Sequence, residues 1–118
     1  MRSTDIIGWF SDIGLDDRPQ VGGKGGSLGE LQRAGIEVPP GFVVKAGAFE
    51  GFVRALERDA PLRARIEALD PDDLEATAAC CREIRARVEH AALPEEVSGL
   101  VQRAVARRSD VTFVAACA

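Results

Sequence analysis

Six prolines decide where helices can run in this chain of 118 residues. Proline has no N–H to donate and its ring clashes with the preceding turn, so it opens helices or breaks them. Pro39 and Pro40 exclude a helix through "VPPGFVV", Gly41 permits a turn, and Phe42, Val43 and Val44 read as a brief strand. Pro61 opens a short helix through Leu69. Asp70 is placed to cap the next helix, Pro71 fits its first position, and Asp72 and Asp73 suit its positive pole. Leu74, Ala78, Cys81, Ile84 and Val88 continue one apolar stripe to about His90. Pro94 opens a last helix with Val97, Leu100, Val101, Ala104 and Val105 facing inward. Pro19 falls in "DIGLDDRPQ", which reads as a loop.

Between the prolines the apolar spacing supplies the other elements. "IIGWF" at 6–10 and "VTFVA" at 111–115 read as strands, and Phe49, Phe52, Val53 and Leu56 recur at helical spacing. The expected order is strand, loop, helix, strand, several helices, strand: a helix-rich α/β lobe with few short strands. Its expected core contains Trp9, Leu28, Leu31, Phe42, Val44, Phe49, Phe52, Leu74, Ile84, Val88, Leu100 and Val101.

Composition excludes several function classes. Hydrophobic residues make up 46% of the chain, enough for a core. A net charge of −4 and an aromatic content of 5%, with no tyrosine, argue against a nucleic-acid partner. Interspersed charges over 54–108 fit a solvated helical surface. Cys80, Cys81 and Cys117 lack zinc-ligand spacing and read as small helix fillers in a reducing compartment. The first residues carry acids and no long apolar run, so neither a leader nor a membrane span is expected, and the cytoplasm is the expected location.

Residues 21–31 read "VGGKGGSLGEL". Glycine lets several N–H groups converge and leaves room for a bulky anion; a helix start adds free donors and a positive dipole end; lysine adds a mobile charge. Gly22, Gly23, Lys24, Gly25 and Gly26 supply these ingredients ahead of Ser27. Ser27 and Glu30 form an S-x-x-E pattern, which predicts a helix beginning at Ser27, and Gly35 is its natural stop. The Walker pattern fails, because Gly25 follows Lys24 and Arg18 stands where its first glycine belongs. The dinucleotide fingerprint fails at Leu28. A tight surface loop and a phosphate cradle both remain open on these features. Thirteen arginines against two lysines, Lys24 and Lys45, make a lysine among these glycines mildly unexpected.

The longer run "VGGKGGSLGELQRAGIEVPPGFVVKAGAFEGFV", residues 21–53, resembles the opening of the nucleotide-binding domain of phosphoenolpyruvate synthase. Pyruvate phosphate dikinase and rifampin phosphotransferases open on the same pattern. The resemblance rests on V-G-G-K, S-L-G-E-L, A-G-I-x-V-P-x-G-F and A-x-A-F, and in layout it covers about residues 9–115. It implies an ATP-grasp fold, with residues 1–118 as a partial N-terminal ATP-binding lobe: family-like motifs at 21–53, a helical segment at 61–108 and a terminal strand at 111–115. It implies ATP as the nucleotide, magnesium as its companion ion, and phosphoryl transfer to a histidine on a separate domain and then to pyruvate. By the same resemblance Lys24 contacts the ATP phosphates, within the loop of Gly22, Gly23, Gly25 and Gly26.

There are departures. Gly26 stands where the family often has alanine. After "TFVA" the family continues with V-R-S-S, whose arginine is a second phosphate ligand; here the chain reads "TFVAACA", and no residue inherits that role. The second lobe with its acidic metal ligands, and the phosphohistidine and pyruvate domains, have no counterpart in this sequence. The expectation is therefore weak ATP binding, no metal ligands and no activity of the chain alone. The alternatives are a catalytically inactive helical interaction module, associating with the remainder of the enzyme or with itself through 111–115, and a gene fragment. His90 reads as a helix-end residue, Asp72, Asp73 and Glu75 as helix-start acids, and Arg107 and Arg108 as cations at a helix C-terminus.

Overall fold

The computed structural model describes residues 6–107. The expectations placed on the strand at 111–115, on self-association through it, and on Arg108 and Cys117 lie outside the described residues. The chain divides into two compact units: one holds the described residues up to Glu50 and from Pro94 onward, the other Gly51–Leu93. Among the described residues there are five helices and one two-stranded antiparallel sheet, a helix-rich α/β arrangement.

In the first unit β1 (Ile7–Trp9) pairs with β2 (Phe42–Val44), with Gly8 opposite Val43. The pairing extends at both ends, where the Phe10 N–H donates to the Gly41 carbonyl at 3.0 Å and the Lys45 N–H to the Ile6 carbonyl at 2.7 Å. Single 3-10 turns at Phe10–Asp12 and Leu15–Asp17 lead into α1 (Arg18–Arg33). Pro19 sits in its first turn, where a missing N–H costs nothing; the helix thus starts inside the segment expected to be a loop. Gly35, at φ 82°, ends the turn that follows, with the Ile36 N–H returning to the Leu31 carbonyl at 3.0 Å. The apolar core joins Ile6 and Ile7, Ala48 from α2 (Ala46–Asp59), and Val97, Leu100 and Ala104 from α5 (Glu95–Ala106). Trp9 and Phe42 close it with an edge-on ring contact at 5.2 Å between centroids.

The second unit holds the end of α2, α3 (Arg63–Glu67) and α4 (Leu74–His90). Phe52, Leu56 and Leu62 are its core, with Ile84 and Ala91 against them. Polar side chains satisfy helix ends here. Arg87 donates to the Leu56 and Ala60 carbonyls at 2.8 and 3.2 Å, closing the C-terminal end of α2. Glu57 accepts from the N–H groups of Leu62 and Arg63 at 2.8 and 3.2 Å. Asp73, rather than Asp70, caps α4 through the Ala76 N–H at 3.0 Å. Asp70 instead folds onto the Asp72 N–H, and this local turn places Pro71 ahead of the helix.

Five residues expected in the core are exposed: Leu31, Val44, Phe49, Leu74 and Val88. The inward face of α2 runs through Ala48, Phe52 and Leu56, and Phe49, one residue on from Ala48, is turned about 100° away and is 66% exposed. Leu74 is the first residue of α4 and lies outside that unit's core. On α1 the inward face is made of Val21, Gly25 and Gly29, which turns Leu31 outward and leaves Leu28 half-buried.

Two predictions follow from this packing. A methyl group at Gly29 would lie 2.2 Å from the Ile13 carbonyl oxygen, so Gly29→Ala must push α1 off the 13–15 backbone. It should cost about 3 kcal/mol or more, read as a lowered midpoint in urea unfolding. In the second unit Arg65 and Glu83 form a two-pronged ion pair, and the Arg65 hydrogen bond holds the Glu83 carboxyl below the usual glutamate range. A depressed carboxylate stabilises above its unfolded-state pKa of about 4.3, and the contribution disappears as pH falls through the lower folded value. The difference in Tm between the parent and Glu83→Gln should therefore be small but present at pH 7 and vanish in acid.

Candidate functional site

The glycine-rich segment is helical, not a loop, and the reason is steric. Expectation placed the helix start at Ser27, but helical backbone already covers residues 23–33. Glu30, expected to complete a box with Ser27, instead accepts the Leu15 N–H at 3.4 Å and faces Arg33 at 3.5 Å. The glycines are needed for close approach. A methyl group at Gly25 would meet Val43 Cγ2 at 3.0 Å, and one at Gly26 the Gly14 carbonyl oxygen at 3.2 Å. Together with Gly29 they let the helix lie directly on β2 and the 13–15 backbone.

Gly22 does something different. Its φ of 75° with ψ of 171° is open to glycine and closed to residues with a side chain. It breaks α1 after one turn, so residues 23–33 restart as a helix with their own N-terminus. The first N–H groups of that restart are those of Gly23, Lys24 and Gly25, and groups at a helix start are the ones that can turn to an outside acceptor. They and the aligned peptide dipoles make a locally positive end.

The five sequence-predicted residues therefore divide. Gly22 and Gly23 face open space, with no atom within 4 Å of where a side chain would begin. Lys24 is exposed, and its amine makes no hydrogen bond or ion pair among the described residues. Gly25 and Gly26 are buried and turn their Cα faces into the packing, so only their backbone N–H groups can serve a ligand.

Two cavities lie elsewhere in the first unit, against Trp9. One of about 190 Å³ is walled by Ile7, Leu100, Ala104, Arg103 and Arg107; the other, about 340 Å³, by Ser11, Asp12 and Arg107. Lys24 lines neither; it is exposed, beside Gly22 and Gly23 that face open space. Arg107, expected at a helix end, is the C-cap residue of α5, and its guanidinium carbon lies over the Trp9 ring 4.9 Å from the centroid. His90 ends α4 with Nδ1 at 2.7 Å from the Ala86 carbonyl oxygen. Among the described residues no three His, Cys, Asp or Glu side chains come together in a way that would hold a metal. No helix of the described residues is long and apolar enough to cross a membrane.

Residues 18–115 match the family model described as pyruvate phosphate dikinase, AMP/ATP-binding domain. The chain is 36% identical to phosphoenolpyruvate synthase of Deinococcus radiodurans over 115 residues, which is 94% of this chain and 15% of that protein. It is 36% identical over 95 residues to a probable phosphoenolpyruvate synthase of Methanocaldococcus jannaschii, 80% of this chain and 8% of that one. A rifampicin phosphotransferase of Streptomyces sviceus is 41% identical over 99 residues, 80% of this chain and 11% of that protein. The chain thus spans well under a fifth of the length of these relatives.

The geometry of the break makes a direct prediction. Gly22→Ala forces a side chain into positive φ and should cost about 1–2 kcal/mol. Gly23→Ala, in open space within a helix, should be neutral or slightly stabilising. Paired urea titrations of the two variants check the contrast.

Proposed function

The chain belongs to the family of pyruvate phosphate dikinase AMP/ATP-binding domains, and from that premise we propose that the restarted end of α1 holds the phosphates of ATP. Lys24 is the charged ligand. The N–H groups of Gly23, Lys24 and Gly25 are the neutral donors, and Gly22 is the break that exposes them. The observation that carries the reading is the pairing of an exposed ammonium group, without a hydrogen bond or ion pair among the described residues, with a helix start that only glycine at position 22 permits. A triphosphate needs fixed donors and neutralising charge, and both are offered on the open side of the same turn.

The chemistry this supports is phosphoryl transfer of the phosphoenolpyruvate synthase type. There, ATP, pyruvate and water give phosphoenolpyruvate, AMP and phosphate. During transfer, negative charge shifts between oxygens, and a cation held near them lowers the barrier. In this reading the chain is the first lobe of an ATP-grasp domain in the cytoplasm, and the phosphate-binding end is its contribution. His90 is read as a helix-end residue rather than as the phosphoryl acceptor: it ends α4, with Nδ1 2.7 Å from that helix's own Ala86 carbonyl oxygen. The acceptor histidine and the pyruvate site belong to other parts of the enzyme, which are the partners proposed here. A rifampicin phosphotransferase shares the same opening lobe, so this chain's residues set the nucleotide, not the acceptor.

One exposed lysine and a few amides on an open surface give modest affinity. The expected Kd of the isolated chain for ATP is about 1 mM or weaker, equivalent to roughly −4 kcal/mol. Lys24→Ala should weaken binding about tenfold, and raising the salt concentration should weaken the parent's binding. Titration of the chain with ATP, followed by amide NMR, tests both. Shifts should concentrate at residues 22–26. Micromolar affinity, or binding indifferent to Lys24→Ala, would overturn the reading.

A further inference from the structure

The second lysine of the chain, Lys45, passes over Gly8 at a point that Val21 of α1 also borders. Lys45 follows β2 and precedes α2, and its N–H is held by the Ile6 carbonyl at 2.7 Å. Its stem runs across the face of Gly8. A methyl group on Gly8 would find Lys45 Cε at 3.2 Å, Ile13 Cγ2 at 3.1 Å and Val21 Cγ1 at 3.7 Å. Gly8 is buried, so the missing side chain is a slot in the sheet face that the lysine stem occupies. That slot is walled by Val21, the residue immediately before the Gly22 break. Four methylenes lying on buried apolar surface with a charged tip beyond is the usual way a lysine is aimed.

We propose that Lys45 is a second cation of the phosphate site, steered across Gly8 toward the break in α1. The proposal rests on the nucleotide reading given above for Lys24 and adds a positioning device to it. In this proposal Lys45 brings a second positive charge to the break beside Lys24, and the phosphate chain of the nucleotide is the group that meets both. Lys45 already has an interaction of its own inside the protein. Phosphate therefore exchanges with that contact, and removing Lys45 costs less than removing Lys24.

Two lysines in the whole chain make the test clean. The full 118-residue protein is acetylated with a limiting amine reagent, with and without saturating ATP, and modification at Lys24 and Lys45 is read by mass spectrometry. Inorganic triphosphate serves as a second probe, separating phosphate contact from nucleoside contact. Both lysines should be protected by both probes. Lys45→Met should weaken ATP binding about threefold, and Lys45→Arg should restore most of it. Gly8→Ala, which fills the slot, should remove the protection of Lys45; if it fails to fold by circular dichroism, Lys45→Met carries the test. Protection of Lys24 alone, with Lys45→Met binding ATP like the parent, overturns this proposal and leaves the Lys24 reading standing. Protection of neither overturns both.

Discussion

The contact between the glycine face of α1 and the backbone of residues 13–15 governs the first unit. At Gly29 the Ile13 carbonyl oxygen occupies the place of a side chain, at 2.2 Å from where a methyl group would be. At Gly26 the Gly14 carbonyl does nearly the same at 3.2 Å. The helix therefore rests on main chain, and its line is set by backbone contact rather than by interdigitating side chains. Arg33 and Glu30 then reach around that line to the Gly14–Leu15 turn, where the Leu15 N–H meets Glu30 at 3.4 Å. A helix so fixed cannot roll to bring Leu31 inward. It also cannot tilt to relieve Gly22, which is left to absorb the change of direction as a single residue at positive φ.

This constraint explains which parts of the molecule were legible in the sequence. Helices announced by proline and periodicity were readable: α3 follows Pro61, and α5 buries Val97, Leu100 and Ala104 as its apolar pattern requires, whereas on α4 only Ile84 of the expected stripe is half-buried, Leu74, Ala78, Cys81 and Val88 are exposed, and Cys80 takes the buried place. The strand after Pro40 and the stop at Gly35 were readable for the same local reasons. The inward face of α1 was not. A hydrophobic pattern assumes that buried means apolar and large, so Leu28 and Leu31 stood out while the buried glycines passed as loop. The signal was present as Gly25 and Gly29 at i and i+4, in line with Val21, but spacing alone does not say whether glycines in line loosen a backbone or admit another backbone close by. The Ser27–Glu30 pattern misled for a related reason: Glu30 found a better donor fifteen residues upstream. At the site, the residue types were legible and their division of labour was not. Lys24 and Gly22 stand at the open end, while Gly25 and Gly26 serve the packing.

The chain's cations show the same division between fixed and mobile use. Arginines serve where a planar fork must meet a fixed geometry. Arg87 spans two carbonyls at the end of α2, Arg65 grips Glu83, and Arg107 lies over Trp9. A guanidinium loses little freedom in such contacts because its donors are already arranged. An ammonium has no plane to match and is more strongly hydrated, so it suits a ligand that arrives, changes charge and leaves. In a chain with thirteen arginines, both lysines lie in the first unit, one at the α1 break and one on the slot beside it.

An open site also follows from the electrostatics. Unit charges 4 Å apart attract by about 1 kcal/mol in bulk water and by about 4 kcal/mol where a partly buried surface lowers the effective dielectric constant to about 20. Exposed Lys24 sits near the first limit. The same ammonium, with water displaced by a covering surface, would act several times more strongly on a phosphate without moving. On the proposed reading the first unit supplies the part of such a site that must not move: backbone donors held by the glycine packing of α1. Strength, on the same reading, comes from whatever excludes water above it, so binding and covering become one event, and the phosphoryl transfer proposed for the whole enzyme is confined to the covered state.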